Sequence, residues 1–347
     1  MDKIIFADCE KIYNKNDFWN EFIDKHIVVT GPYGMIASYI VYLFIYLNEF
    51  HNANIKIIAV GRNEEKFKRR FCNFANKSYF KFFKNNLITL PEIENCDYII
   101  HAASPASSQF YGTDPVGTTI PNFLGTYNLL NFAVRHKIRS MIFISSDEVY
   151  GKNDKEILTE NDFGISNPTE IRYCYGESKR MGECLCKVFS YQYKVPVKTV
   201  RLGHTYGPTM DIKNDKRVFS EFVKNIVNNE NIVIKSSGDA TRTFTYIADV
   251  IDGILKVLIN GENGEAYNIS NPEENVSIKT LANTLKKLSD NNLEIIFEKR
   301  KMNENYIESN LEKHSILDIQ KLKNLGWNPE YNIFDGFKRT IESIKLE

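Results

Sequence analysis

Short apolar runs recur along the first two thirds of the chain, at His26–Thr30, Ile55–Val60, Tyr98–His101, Ser140–Ser145 and Val197–Arg201. They are nearly continuous rather than alternating, as in strands covered on both faces. Longer segments with helical spacing lie between them, near 35–48, 63–76, 115–136 and 170–194. This alternation predicts a parallel sheet with right-handed crossovers and helices on both sides, a doubly wound α/β fold. Beyond residue 205 the pattern breaks up. Pro208, Gly238, Gly261, Gly264 and Pro272 punctuate short pieces there. This part predicts a smaller, interleaved α+β portion with a helix near 334–345. Residues 1–24 read as a polar, aromatic-bearing extension.

Composition narrows the class. The 347 residues carry 44 Lys+Arg and 44 Asp+Glu, with 43% hydrophobic content. Balanced charge gives no reason to expect nucleic acid or an anionic membrane as a partner. The basic cluster Lys66–Arg70 reads as a solvated helix face. The longest apolar stretch, Met35–Leu47, is shorter than the ~20 residues a bilayer requires. Met1–Glu10 lacks the basic and apolar regions of a secretory signal. The cysteines 9, 72, 96, 174, 184 and 186 match no zinc spacing, so reduced, mostly buried thiols, a cytoplasmic setting and no bound metal are expected.

The first strand runs into Thr30-Gly31-Pro32-Tyr33-Gly34-Met35-Ile36-Ala37. This is G-x-x-G-x-x-A between a strand and a helix, the context of a dinucleotide-binding loop. Gly31 suits a tight turn, Gly34 leaves room for a diphosphate, and Ala37 is small enough for helix–strand packing. The helix start offers free N–H groups to the phosphates. After the second strand stands Gly61-Arg62, where an acid would bind a ribose 2′-hydroxyl. Arg62 can pair with a 2′-phosphate, which leans the expectation toward NADP over NAD.

Tyr175-Gly176-Glu177-Ser178-Lys179 places a phenol and an ammonium one helical turn apart. The ammonium favours the phenolate, so Tyr175 can act as a base toward a sugar hydroxyl. Upstream, Ser145-Ser146-Asp147-Glu148 ends a predicted strand, where residues face the ligand crevice.

These residues resemble the extended short-chain dehydrogenases/reductases, the NAD-dependent epimerases and dehydratases of nucleotide sugars. The resemblance spans about residues 26–290 and rests on TGPYGMIA, HAASPAS (101–107), PNFLGTYNLL (121–130), SSDEVYG (145–151), YGESK (175–179), RLGHTYGP (201–208) and RTFTYIAD (242–249). It implies a Rossmann domain over 25–206 with a return segment near 240–262, and a substrate-binding domain over 207–239 and 263–347. It implies C4 oxidation of a nucleotide-diphosphate sugar by a tightly bound nicotinamide cofactor. Tyr175 then matches the C4-hydroxyl base, Lys179 its partner on the nicotinamide ribose, and Ser146 the group on the C4 oxygen. Gly31, Tyr33, Gly34, Met35, Ile36, His101, Ala102, Ala103 and Ser145 join Arg62, Tyr175 and Lys179 as expected cofactor contacts. Ser104, Asn122, His204, Arg217 and Arg242 are the expected substrate contacts.

The second step stays open at this point. HAASPAS, CYGESKRMGE (174–183) and Arg217-Val218-Phe219 resemble the UDP-glucuronate decarboxylases. Asp147-Glu148 resembles the acid and base of dTDP-glucose 4,6-dehydratases, and an epimerase or reductase needs neither. Three positions depart from the family: Gly61 replaces an acid, Ala37 a glycine and His204 an asparagine. The resemblance also implies a homodimer through a four-helix bundle.

Overall fold

The computed structural model describes residues 1–289, 292–298 and 315–346. Its frame is a seven-stranded, wholly parallel sheet. Helix α1 (Lys3–Lys15) comes first, capped by Asp2, whose carboxylate accepts from the amides of Ile4 and Ile5. Strand β1 (His26–Thr30) follows, then α2 (Met35–His51), β2 (Lys56–Gly61), α3 (Glu64–Arg70), β3 (Phe80–Lys84) and β4 (Tyr98–His101). Short helices α4 (Ser108–Thr113) and α5 (Pro115–Ile120) lead to α6 (Thr126–His136), β5 (Ser140–Ser146), the two-residue β6 (Ile157–Leu158), α7 (Cys174–Tyr193) and β7 (Val197–Leu202).

The remainder interleaves with this frame. It comprises β8 (His204–Tyr206), α8 (Val218–Val227), β9 (Ile232–Ile234), β10 (Thr241–Tyr246), α9 (Ile247–Asn260) and β11 (Ala266–Ile269). Then come β12 (Asn275–Ser277), α10 (Ile278–Lys286), β13 (Ile295–Phe297), β14 (Ile316–Leu317), α11 (Gln320–Lys323) and α12 (Ile333–Leu346). The large sheet has the order β11-β7-β5-β4-β1-β2-β3, and β12-β10-β8 form a second, three-stranded sheet.

Side chains alternate between the faces of the large sheet. Ile27, Val29 and Ile142 pack into the cluster that holds α2 and α9. Val28, Ile99, Met141 and Phe143 pack under α6 and α7. Both faces are thus buried, which is why these strands lack a polar alternation. The reversal of strand order between β1 and β4 opens a crevice at their carboxyl ends.

Several elements differ from the sequence reading. The helix expected over 63–76 ends at Arg70. The segment 115–136 is interrupted at Pro121, where Pro121–Gly125 forms a wide π turn. Proline has no N–H to donate, so the helical ladder loosens there. The strands β3 and β11 close the sheet edges and were not read from the sequence, β3 because FKFFK has only one fully buried side chain. Cys72 and Cys184 are exposed and only Cys9 and Cys186 are fully buried, because the first two sit on outward-facing surfaces. Among the described residues no helix is long and apolar enough to cross a membrane.

The N-terminal segment, read as an extension, packs into the body of the protein. Ile5, Cys9 and Ile12 share one buried face of α1. Between them, fully buried Asp8 accepts hydrogen bonds from Tyr39, Tyr246 at 2.6 Å, Tyr331 at 3.2 Å and Arg339.

Candidate active site

The loop after β1 makes a turn only glycine adopts readily. Gly31 has φ of 66°, and a Cβ there would fall 2.8 Å from Ala103 Cα. No side chain caps the first turn of α2. A Cβ on Gly34 would meet only the Gly31 carbonyl, at 3.3 Å, so space lies over the helix start. Open space, uncapped amides and a helix N-terminus fit a diphosphate. Met35, Ile36 and Ala37 form that first turn.

His101, at the end of β4, supports the loop from behind. Thr30 Oγ1 accepts from the amides of Ala102 and Ala103 at 3.2 and 3.1 Å. Its hydrogen therefore goes to His101 Nδ1, 2.8 Å away. His101 Nε2 then carries a hydrogen and faces the Pro121 carbonyl at 3.2 Å. Burial, with the charge of Lys179, pushes the imidazole down to about 3, so it is neutral. The π turn at Pro121 thus supplies the acceptor that fixes this tautomer.

The carboxyl end of β5 and the start of α7 bring together Ser146, Tyr175 and Lys179. Ser146 Oγ donates to Asp147 Oδ1 at 2.9 Å and shares a hydrogen bond with Tyr175. Lys179 Nζ donates to the Ile144 carbonyl at 2.6 Å and lies 5.7 Å from the Tyr175 ring centre. Burial pushes the ammonium down to about 7, against the charge of Glu183. Burial also raises the Tyr175 phenol above its ordinary range, and the charges of Glu148 and Asp147 add to this, while the Ser146 bond and Arg217 oppose it. Asp147 is raised too, by burial first, with Ser146, nearby amides and Arg242 opposing.

Glu148 carries a partner the sequence did not reveal. Arg172 Nη2 and Nη1 donate to its two carboxylate oxygens, at 2.9 and 3.3 Å. The Arg172 side chain is 13% exposed. Its Nε is buried and has no acceptor among the described residues. The guanidinium lies 5.5 Å from the Tyr111 ring, and Tyr111 stacks on Tyr175 at 5.2 Å and 13°. The four side chains Tyr175, Tyr111, Arg172 and Glu148 form one connected wall.

The other expected contacts divide. His204 opens β8, with Nδ1 3.8 Å from Asp147 Oδ2. Burial, then the charges of Arg242 and Arg217, push it down to about 3. Asp147, His204, Thr243 and Ser270 line a narrow cleft. Ser104, Thr243 and Ser270 each keep a buried hydroxyl without a partner among the described residues. Arg217 is forked by Asp215, with Nη2 2.6 Å from Oδ2. Arg242 Nη1 donates to the Thr241 carbonyl at 2.7 Å. Two residues turn away from the cleft. Asn122 is fully buried and bonds the Thr118 carbonyl and Ser178 Oγ, so it ties α5 to α7. The Ser145 hydroxyl donates to Glu183 at 2.6 Å, itself paired with Arg201.

Arg62 follows β2 directly. Its backbone amide, with that of Asn63, donates to Tyr33 Oη at 3.2 Å. Its side chain is exposed at the rim. Tyr111 and Arg172 were missed in the sequence. The one signal for Arg172 was its position three residues before Tyr175, and nothing local announced a partner at Glu148.

The chain is similar to known proteins over most of its length. A profile of the NAD dependent epimerase/dehydratase family matches residues 27–270. UDP-glucuronic acid decarboxylase 6 of Arabidopsis thaliana is 32% identical over 324 residues, 93% of this chain and 90% of that one. UDP-glucuronic acid decarboxylase 1 of Xenopus tropicalis is 31% identical, over 95% of this chain and 74% of its own. The fold is shared with the UDP-glucuronic acid 4-epimerase of Bacillus cereus, solved with UDP-glucuronic acid and NAD, at a TM-score of 0.78 and 24% identity over 92% of this chain and 99% of that one. It is shared as well with the dTDP-glucose 4,6-dehydratase of Bacillus anthracis, solved with NAD, at a TM-score of 0.71 and 20% identity over 93% and 97% of the two chains.

Proposed function

The chain belongs to the NAD dependent epimerase/dehydratase family, and on that premise we propose that it decarboxylates a UDP-hexuronic acid such as UDP-glucuronic acid. One observation carries the choice: Arg172, one turn before Tyr175, has a buried N–H left without an acceptor among the described residues. A substrate carboxylate would satisfy that donor with a charge-assisted bond, where a hexose hydroxyl offers only a neutral acceptor. The same arginine engages both oxygens of Glu148, the group a dehydratase would need as a base at C5.

The loop from Gly31 to Ile36, with Ala102 and Ala103 beside it, holds the dinucleotide. A nicotinamide held there would supply reversible hydride acceptance at C4. Tyr175 receives the C4 hydroxyl proton, and Ser146 keeps a hydrogen bond on the same oxygen. Lys179 contributes positive charge beside the phenol. The C4 ketone is β to the C6 carboxylate, so the C5–C6 bond breaks and its electron pair enters a C4–C5 enolate as CO2 leaves. The protonated Tyr175 and Ser146 stabilise that enolate oxygen. A proton from water joins C5, and Tyr175 gives its proton back to the C4 oxygen. Arg217 and Arg242, whose charges both act on His204, are the proposed partners for the diphosphate.

NMR of the products from UDP-glucuronate tests the reaction. Released CO2 and a UDP-pentose are expected, whereas a 4-keto-6-deoxy sugar from a dTDP- or CDP-hexose would replace this reading with dehydration. For Arg172→Gln we expect UDP-glucuronate to bind about 10–100-fold more weakly, the range of a charge-assisted hydrogen bond. UDP-xylose, the same sugar without the carboxylate, should bind within about twofold of wild type, because it never used that bond. Equal losses for both ligands would reduce Arg172 to a support for Glu148.

A second copy of the chain is the proposed partner. Val116, Phe123, Tyr127 and Val134 are exposed on α5, α6 and the turn between them, as are Met181, Val188 and Tyr191 on α7. These helices present the apolar faces that a four-helix bundle between copies would cover. Light scattering should give about 80 kDa, twice the 40.2 kDa chain, and a mass of one chain at micromolar concentration would remove the proposal.

A further inference from the structure

The ribose end of the dinucleotide site is built around a tyrosine in place of an acid. Tyr33 lies against the end of β2. A Cβ on Gly61 would fall 2.9 Å from Tyr33 Cε1 and 3.2 Å from Pro32 Cδ. An aspartate or glutamate at position 61 would therefore require the Tyr33 ring to shift. The two residues are a matched pair: the ring occupies the room that an acid would take.

The phenol also takes over the polar groups at that strand end. Its oxygen accepts from the amides of Arg62 and Asn63, both at 3.2 Å. Exposed amides after the second strand are a natural seat for a 2′-phosphate. Here both are engaged. A phenol accepts and donates at once, so Tyr33 keeps one proton to give. Among the described residues that proton has no acceptor, and the ring is only half-buried.

We propose that Tyr33 recognises the adenosine ribose of the cofactor, its hydroxyl donating to the 2′-oxygen, and that it selects NAD over NADP. A 2′-phosphate would have to displace the ring from Gly61 and free both amides. Arg62 stays at the rim and does not decide the choice. This reverses the lean toward NADP that Arg62 alone gave. It rests on the reading that the loop binds a nicotinamide dinucleotide.

The test is nucleotide binding, independent of turnover. The full-length protein is denatured and the released nucleotide is identified by mass spectrometry. Stripped protein is then titrated with NAD+ and with NADP+, following intrinsic fluorescence. NAD+ should be the nucleotide found and should bind at least about tenfold more tightly than NADP+. Tyr33→Phe removes the donor and releases both amides. It should weaken NAD+ about tenfold while NADP+ holds or gains, which collapses the ratio. The double variant Tyr33→Ala with Gly61→Asp has room for the acid and should regain the preference for NAD+. A wild type that selects NADP+, or a Tyr33→Phe protein with an unchanged ratio, overturns the proposal. A protein that binds neither nucleotide overturns the cofactor reading itself, and this inference with it.

Discussion

Tyr175→Phe should lower kcat by about a thousandfold while leaving the fold and the binding of nucleotide intact, which is the loss expected when a positioned acid–base group is removed. The substitution deletes one oxygen. The ring keeps its stack against Tyr111 and its place beside Lys179, so neither the wall nor the core is disturbed. The pH profile sharpens the test. Burial raises the phenol, so the ligand-free protein holds that proton at neutral pH. Burial lowers Lys179 to about 7. The two titrate as a coupled pair, and the competent form is phenolate beside ammonium. Because the base must lose its proton, kcat/KM should climb as pH rises through the neutral range. Lys179→Met removes the charge that favours phenolate, so the climb should move to higher pH. Near-wild-type turnover in Tyr175→Phe, or a Lys179→Met profile moved to lower pH, would remove these residues from their roles.

Asp8→Ala should cost about 3–5 kcal/mol of stability, the range for deleting one member of a buried ion pair. Asp8 is wholly buried and is the common acceptor for three phenols and the Arg339 guanidinium. Those donors come from α2, the end of β10, the segment before α12 and α12 itself. Burial raises the Asp8 carboxyl, and Arg339 is the largest opposing influence. Removing the carboxylate leaves the phenols without an acceptor and the cation without its counter-charge. Urea unfolding measures the loss. A second deletion, Arg339→Met in the Asp8→Ala background, should recover part of it, because the uncompensated charge goes as well. A loss below about 1 kcal/mol would show that water or rearrangement takes over the node.

This node shows what a linear reading misses. Residues 1–24 carry no motif, and α1 looks like a polar leader. Its importance lies in one aspartate whose partners are 31 to 331 residues away in sequence. Arg172 is similar. It stands three residues before Tyr175, yet its partner Glu148 lies 24 residues upstream. Asn122 and Ser145 were legible as site neighbours, but their side chains turned to Ser178 and Glu183. Such orientations depend on which acceptor the packed structure brings closest.

Local physics was readable without coordinates. A continuous apolar run is a strand buried on both faces, and so β1 and β4 were placed to the residue. Glycines between a strand and a helix give a tight turn into an uncapped helix start, and a tyrosine four residues before a lysine is a shared helical face. These follow from periodicity and turn chemistry, which act over a few residues. The packed structure alone decided the fork on Glu148, the phenol seated over Gly61 and the burial that lowers Lys179, His101 and His204. Those rest on burial and on contacts between distant segments, and both come into being only when the chain has folded.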